Sequence, residues 1–367
     1  MTCDFRQQAN PGVQQLQPYE PGKPVDELKR ELGIRDVIKL ASNENPRGPG
    51  HEAREAVRHA VEDLHRYPDG HGHDLKAGLA ERLGVTTEQI TLGNGSNDVL
   101  ELIARAWVAP GDRIIYSQYA FAVYPIVARA VSANPFEVPA ALFGHDLEAM
   151  AAAVTERTRV IYVANPNNPT GTWHHQHAIE TFLDEVPEDV LVVLDEAYFE
   201  YVEESPYPDG IRLLERYPNL IVTRSFSKIH GLAGLRIGYA VSSPEIADVL
   251  NRIRQPFNVN TAGQAAALAA LSDNDYVEDS RSLNTSGLVQ LVEGLDQLGL
   301  DYIPSVANFL SFRAGPDAQA IYEGLLREGM IVRPLGGYAM PEHLRVSTGL
   351  PEENERFLTA LKKVLKS

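Results

Sequence analysis

The run Val190-Leu191-Val192-Val193-Leu194 narrows the choice of fold more than any other stretch of the chain. Five consecutive apolar residues closed by Asp195 make a strand covered on both faces, because a strand with one wet face would alternate. Other segments read as strands at 89–92, 113–116, 159–163 and 220–222, most of them largely apolar. Helical spacing separates them at 52–64, 74–83 and 178–186, near 121–130, and after Ser96, where Val99, Leu100, Ile103, Ala106 and Trp107 share one face. Continuous apolar strands alternating with helices predict an α/β chain built on a mostly parallel central sheet with helices on both sides.

At 367 residues the chain has room for two domains. The expected division is an N-terminal arm over residues 1–40 that joins part of a smaller unit, a large domain over 41–250, and a small C-terminal α/β domain over 251–367. The arm holds a helix at 25–32 and a strand at 37–40. A long helical stretch at 244–291 leads out of the large domain, and strands at 302–303, 309–312, 331–332 and 344–346 alternate with helices at 318–329 and 352–366.

A net charge of −17 argues against nucleic acid or an anionic membrane surface as partner. No run of about 18 apolar residues predicts a membrane span. The polar stretch from Met1 to Pro24 lacks the apolar core of a signal peptide. A lone cysteine, Cys3, leaves no intramolecular disulfide, which suits a reducing, cytoplasmic setting.

The polar motifs fall at strand ends, where such sheets bind ligands. After the 220–222 strand come Ser225, Ser227 and Arg236, three donors suited to a phosphate, with Lys228 as an amine nucleophile among them. A lysine beside a phosphate clamp points to a Schiff base with pyridoxal phosphate. Taken alone, the same loop reads as a polar turn with a solvated lysine. Gly93-Asn94-Gly95-Ser96 runs from strand into helix, and the free N–H groups and dipole of a helix start attract an anion, although a tight turn and cap explain it as well. Asp195 closes a buried strand, where a carboxylate can hold a pyridine nitrogen protonated. Arg333 and Arg345 can each grip a carboxylate or phosphate at two points.

Other signals weigh less. His174, His175 and His177, and separately His65, His71 and His73, lack the carboxylates or cysteines that complete a metal site, so no metal is expected. Asp98 stands where a dinucleotide fingerprint needs glycine, and no Gly-Lys-Ser/Thr marks a nucleotide loop.

Taken together, the motifs resemble fold-type-I, pyridoxal-phosphate-dependent aminotransferases, and most of all the histidinol-phosphate aminotransferase family. They are Ser42-Asn43-Glu44-Asn45-Pro46, Tyr67-Pro68, the 165–171 loop, Asp195-Glu196-Ala197-Tyr198, Ser225-Phe226-Ser227-Lys228, the 231–239 segment and Arg345-Val346-Ser347-Thr348-Gly349. The resemblance implies transamination between histidinol phosphate and 2-oxoglutarate, the reverse running from imidazole acetol phosphate and glutamate, in histidine biosynthesis. It implies that Lys228 holds the cofactor's aldehyde, Asp195 its ring nitrogen, and Tyr198 with Asn168 its ring oxygen. Gly95, Ser96, Asn97, Ser225, Ser227 and Arg236 would hold the phosphate, and Phe121 would lie against the ring. Tyr67 would reach the phosphate held by the second subunit of a homodimer. Tyr19, Asn43, Asn308, Arg333 and Arg345 would form the substrate pocket. Many relatives have tyrosine where this chain has Phe121, which keeps stacking but removes a hydroxyl. An aromatic or broad-range aminotransferase, a threonine-phosphate decarboxylase-like lyase and a regulator on the same scaffold remain alternatives.

Overall fold

The computed structural model describes residues 3–14, 16–19 and 21–366; Glu20, part of the sequence expected to form the arm, lies outside them. Seven strands form the central sheet: β1 (Ile90–Gly93), β2 (Arg113–Ser117), β3 (Asn134–Val138), β4 (Thr158–Ala164), β5 (Leu191–Asp195), β6 (Leu220–Ser225) and β7 (Gly238–Val241). Their order is β1-β7-β6-β5-β4-β2-β3. Strands β6, β5, β4, β2 and β3 run parallel, while β7 is antiparallel to both its neighbours. The sheet is therefore mostly parallel, with one reversed strand near an edge.

Alternate side chains of each strand enter opposite cores. Val192 and Leu194 of β5 join Ile161, Val163, Leu220 and Val222 on one face, under helices His73–Leu83 and Gln176–Glu185. Leu191 and Val193 join Val160, Tyr162 and Ile221 on the other, under helices Ser96–Trp107 and Val123–Ala130. Each fully buried aliphatic side chain contributes about 1.5–3 kcal/mol. That two-sided burial is why the strand sequences are apolar without interruption.

A second, antiparallel sheet has the order β10-β11-β9-β8, from β8 (Tyr302–Ile303), β9 (Phe309–Arg313), β10 (Arg333–Pro334) and β11 (His343–Ser347). Leu310, Phe312, Leu344 and Val346 pack there with Leu291, Leu295, Leu325 and Phe357 from its helices. Ile38–Lys39 pairs in parallel with Met330–Ile331, so the N-terminal segment is tied to the C-terminal part of the chain.

Three elements differ from the sequence-based expectation. The long helical stretch expected at 244–291 is divided into three helices, Pro244–Ile253, Thr261–Leu271 and Asn274–Leu298. Thr261–Leu271 packs on His51–Ala60 and His73–Leu83, so residues expected to open the C-terminal unit lie in the core of the large sheet. The expected strand at 331–332 divides between Met330–Ile331 and Arg333–Pro334, which join different sheets. Among the described residues no helix is long and apolar enough to cross a membrane.

Candidate active site

Strands β1, β2, β4, β5 and β6 end at the same edge of the large sheet, and the loops that leave them enclose a cavity of about 230 Å³. Ser96, Asn97, Phe121 and Asn168 line it from three of those loops. Asp195, Tyr198, Ser225, Ser227, Lys228 and Arg236 complete the wall, together with Ser42 and Glu44.

One end of the cavity is a cradle of donors. The helix Ser96–Trp107 starts there, behind Gly95 at φ +80°. A Cβ on Gly95 would stand 2.4 Å from Arg236 Nη2, so only glycine allows the guanidinium to approach the helix start. Gly238 pairs with Gly93 on one side and Ser225 on the other, which brings the ends of β1 and β6 to the same spot. A Cβ on Gly238 would lie 2.5 Å from the Ser96 nitrogen. Arg236 donates to Ser227 Oγ at 3.4 Å, and the Ser227 N–H donates to Ser225 Oγ at 3.1 Å. Two hydroxyls, a guanidinium and a helix start thus surround one point, an arrangement suited to a phosphate dianion.

At the other end stands Asp195, buried and acceptor-only when ionised. Tyr124 donates to its Oδ2 at 2.8 Å and Thr223 to its Oδ1 at 3.1 Å. Burial raises the Asp195 carboxyl, and the bonds from Tyr124 and Thr223 oppose that rise. Lys228 donates to the Ser42 carbonyl at 3.3 Å. Burial, with Arg345 and then Arg236 as neighbouring cations, lowers its ammonium from 10.5 to about 8. A lysine held there offers a substantial neutral fraction near physiological pH.

The substrate-side residues form a connected network. Asn43 donates to the Tyr198 hydroxyl at 2.8 Å and accepts from Asn308 on its carbonyl at 3.0 Å. Arg345 donates to Asn168 Oδ1 and, at 3.0 Å, to the Ala41 carbonyl, beneath the ring of Phe309. Arg333 faces Arg345 in register on the neighbouring strand. Its guanidinium lies 5.6 Å from the ring centre of Tyr19, in an adjoining cavity of about 770 Å³ shared with Tyr338. Tyr67 is not in either cavity; it is 82% exposed and stacks on Phe257 at 4.7 Å.

The sequence did not single out Tyr124 or Thr223. Tyr124 sits three residues beyond Phe121 in an apolar helix, where an aromatic residue reads as core, and only the fold reveals its carboxylate partner. Among the described residues no three His, Cys, Asp or Glu side chains are placed to share a metal.

Residues 35–361 match the family model described as aminotransferase class I and II. The chain belongs to that family. It is 60% identical over 364 residues, 99% of each chain, to histidinol-phosphate aminotransferase 2 of Pseudomonas aeruginosa. It is 55% identical to histidinol-phosphate aminotransferase 1 of Nitrosococcus oceani, over 98% of each chain. Among solved structures, the histidinol-phosphate aminotransferase of Sinorhizobium meliloti in complex with pyridoxal-5'-phosphate superposes with a TM-score of 0.90 at 32% identity, covering 97% of both chains. Aspartate aminotransferase of Thermus thermophilus with maleate gives a TM-score of 0.83 at 25% identity, covering 99% of this chain and 100% of that one. As an aminotransferase, the chain has the fold-type-I α/β architecture expected from its motifs.

Proposed function

We propose that this chain is a pyridoxal-phosphate-dependent histidinol-phosphate aminotransferase that exchanges an amino group between L-histidinol phosphate and 2-oxoglutarate. The observation that carries the proposal is one cavity with a lysine amine, a buried carboxylate and a phosphate cradle in its wall. The residues present fit the cofactor. Gly95 leaves space that a side chain would fill, Ser96, Ser225, Ser227 and Arg236 match a dianion, and Asp195 lies beyond them as an acceptor. The relatives named for this reaction and the solved neighbour with pyridoxal-5'-phosphate support the same reading.

When bound, pyridoxal phosphate supplies an aldehyde that captures the substrate amine and a ring that accepts electrons released at Cα. Lys228 would hold the aldehyde end and, as a neutral amine, take the proton from substrate Cα. Asp195, kept ionised by Tyr124 and Thr223, would hold a proton on the ring nitrogen. Tyr198 and Asn168 would face the ring oxygen, and Phe121 the ring plane. Arg345, fixed by Asn168 and Ala41, would grip a carboxylate or phosphate, and Arg333 with Tyr19 and Asn308 would extend that pocket. Two guanidiniums let one pocket accept glutamate in one half-reaction and the phosphorylated substrate in the other.

The proposal includes a homodimer in the cytoplasm. Tyr67 and Phe257 make an exposed aromatic pair suited to burial against a second copy, from which Tyr67 would reach the neighbouring phosphate cradle. Transfer rates to 2-oxoglutarate from histidinol phosphate and from phenylalanine, with carbon dioxide release followed in parallel, test the function. A faster rate with phenylalanine, or decarboxylation without transfer, would replace it with one of the alternatives.

A further inference from the structure

We infer that Tyr124 is a positioning residue for Asp195, holding that carboxylate in the orientation and ionised state in which it receives the cofactor ring. The inference rests on the proposed cofactor and goes beyond the residues assigned to it.

Tyr124 is fully buried in the apolar layer between the sheet and its helices, among residues such as Val99, Ile103 and Val193. A phenol hydroxyl in such a place is costly unless it is bonded. Its bond goes to Asp195 Oδ2 at 2.8 Å, and an ionised carboxylate can only accept, so Tyr124 must donate. Tyr162 stacks on Tyr124 with ring centres 4.7 Å apart and planes 5° from parallel, but donates its own hydroxyl to the Leu100 carbonyl. Stacking therefore fixes the ring of Tyr124 without competing for Asp195. On its other side, Phe121 meets Tyr124 edge-on at 5.9 Å. One short segment thus supplies both the aromatic wall of the cavity and the donor to the carboxylate behind it.

The charged and titratable groups around Asp195 come from every element packed on it. Tyr124 and Thr223 donate from the helix Val123–Ala130 and from β6, and the Ala197 N–H donates from the following loop. Lys228 lends a positive charge from the lysine loop, while the nearby hydroxyls of Tyr162 and Tyr198 are engaged elsewhere, Tyr162 donating to the Leu100 carbonyl and Tyr198 accepting from Asn43. Burial holds the Tyr124 phenol well above its usual range, and the Asp195 charge raises it further, so it remains a donor across the working pH. Without that donor the carboxylate keeps its burial and loses the short bond that favours its charge.

The test uses the full-length chain freed of cofactor and titrated with pyridoxal phosphate between pH 5 and 9. In Tyr124→Phe the affinity should fall about tenfold at neutral pH, the scale of a lost hydrogen bond to a charged group. Its decline on the acid side should begin about one pH unit higher, because Asp195 takes up its proton earlier. In an Asp195→Asn background the same change should have no effect on the acid decline. Tyr162→Phe, which alters the stack but not the carboxylate, should leave the acid decline in place. If Tyr124→Phe does not fold, 3-fluorotyrosine at position 124 supplies a stronger donor of nearly the same shape, and the decline should move to lower pH. An acid decline that neither change moves overturns the inference while the cofactor proposal stands. Failure of the unaltered chain to take up pyridoxal phosphate overturns both.

Discussion

Replacing Lys228 by methionine should stabilise the cofactor-free protein at neutral pH while removing its activity. The ammonium sits at about 8 rather than 10.5, chiefly through burial. Each pH unit of that difference is worth ~1.4 kcal/mol, so a charged Lys228 costs the fold ~3 kcal/mol. Part of the side chain opens onto the cavity, and solvent there trims the figure to ~2 kcal/mol. The sign follows from proton binding. Below pH 8 the lysine is charged in both folded and unfolded chains, and the full penalty applies. As pH rises from 8 to 10.5 the unfolded chain holds more protons than the folded one, so stability recovers and the penalty vanishes. Methionine has similar length and no charge, so its advantage should be ~2 kcal/mol at pH 7 and near zero at pH 10.5. Urea unfolding of both cofactor-free proteins across that range measures it. An advantage that is absent at pH 7, or that stays constant to pH 10.5, would show that the amine is not held at a lowered pKa.

Arg345→Ala should lower kcat/KM for both anionic substrates by roughly 30- to 1000-fold, the scale of a buried two-point ionic contact, with cofactor affinity changed much less; equal losses in titration and kinetics would contradict its assigned task. Gly95→Ala should weaken cofactor binding by at least about tenfold, since the added carbon meets Arg236 and the φ of +80° disfavours it; unchanged affinity in equilibrium dialysis would dismiss the cradle as a phosphate site. Glu196→Gln removes the buried charge 2.7 Å from Arg224 Nη2, while Asp209, also 2.7 Å from that nitrogen, still balances the guanidinium, so it should cost ~1–3 kcal/mol in denaturant unfolding; no measurable loss would mean the pair contributes nothing to the fold. Mixing Tyr67→Ala chains with Lys228→Ala chains should restore activity that neither has alone, because in the proposed homodimer a mixed pair would contain one intact site; no recovery after subunit exchange would refute the proposed reach of Tyr67 into the second subunit.

The strands that bear on chemistry were legible because burial on both faces leaves an uninterrupted apolar run, and each run stopped at its polar motif, as at Leu194–Asp195 and Val222–Ser225. The edge strand β3 was not legible: Asn134-Pro135-Phe136-Glu137-Val138 is largely exposed and has no buried pattern to betray it. Strand β7 was missed for another reason. Gly238-Tyr239-Ala240-Val241 is short, and its reversal depends on neighbours that no local pattern specifies. The candidate site was legible wherever a residue type has one obvious chemistry, as do Lys228 and Asp195, which line the same cavity. It was hidden at Tyr124, an ordinary core residue by sequence whose hydrogen bond to Asp195 only the fold reveals. Thr261–Leu271 was misplaced because its small residues have no marked apolar face, and only contact with His51–Ala60 shows which core it joins.

Strand β7 also governs how the amine is mounted. The segment bearing Lys228 leaves the sheet at Ser225 and returns at Gly238, and those two residues sit opposite each other in one ladder. The loop is a closed handle with both roots fastened to the same rigid frame. Arg345 and Arg333 hang from a different frame, the antiparallel sheet of the C-terminal part. Whatever shift one frame makes against the other would, under the proposed roles, adjust the grip of those guanidiniums on an anion and leave Lys228 anchored near Asp195.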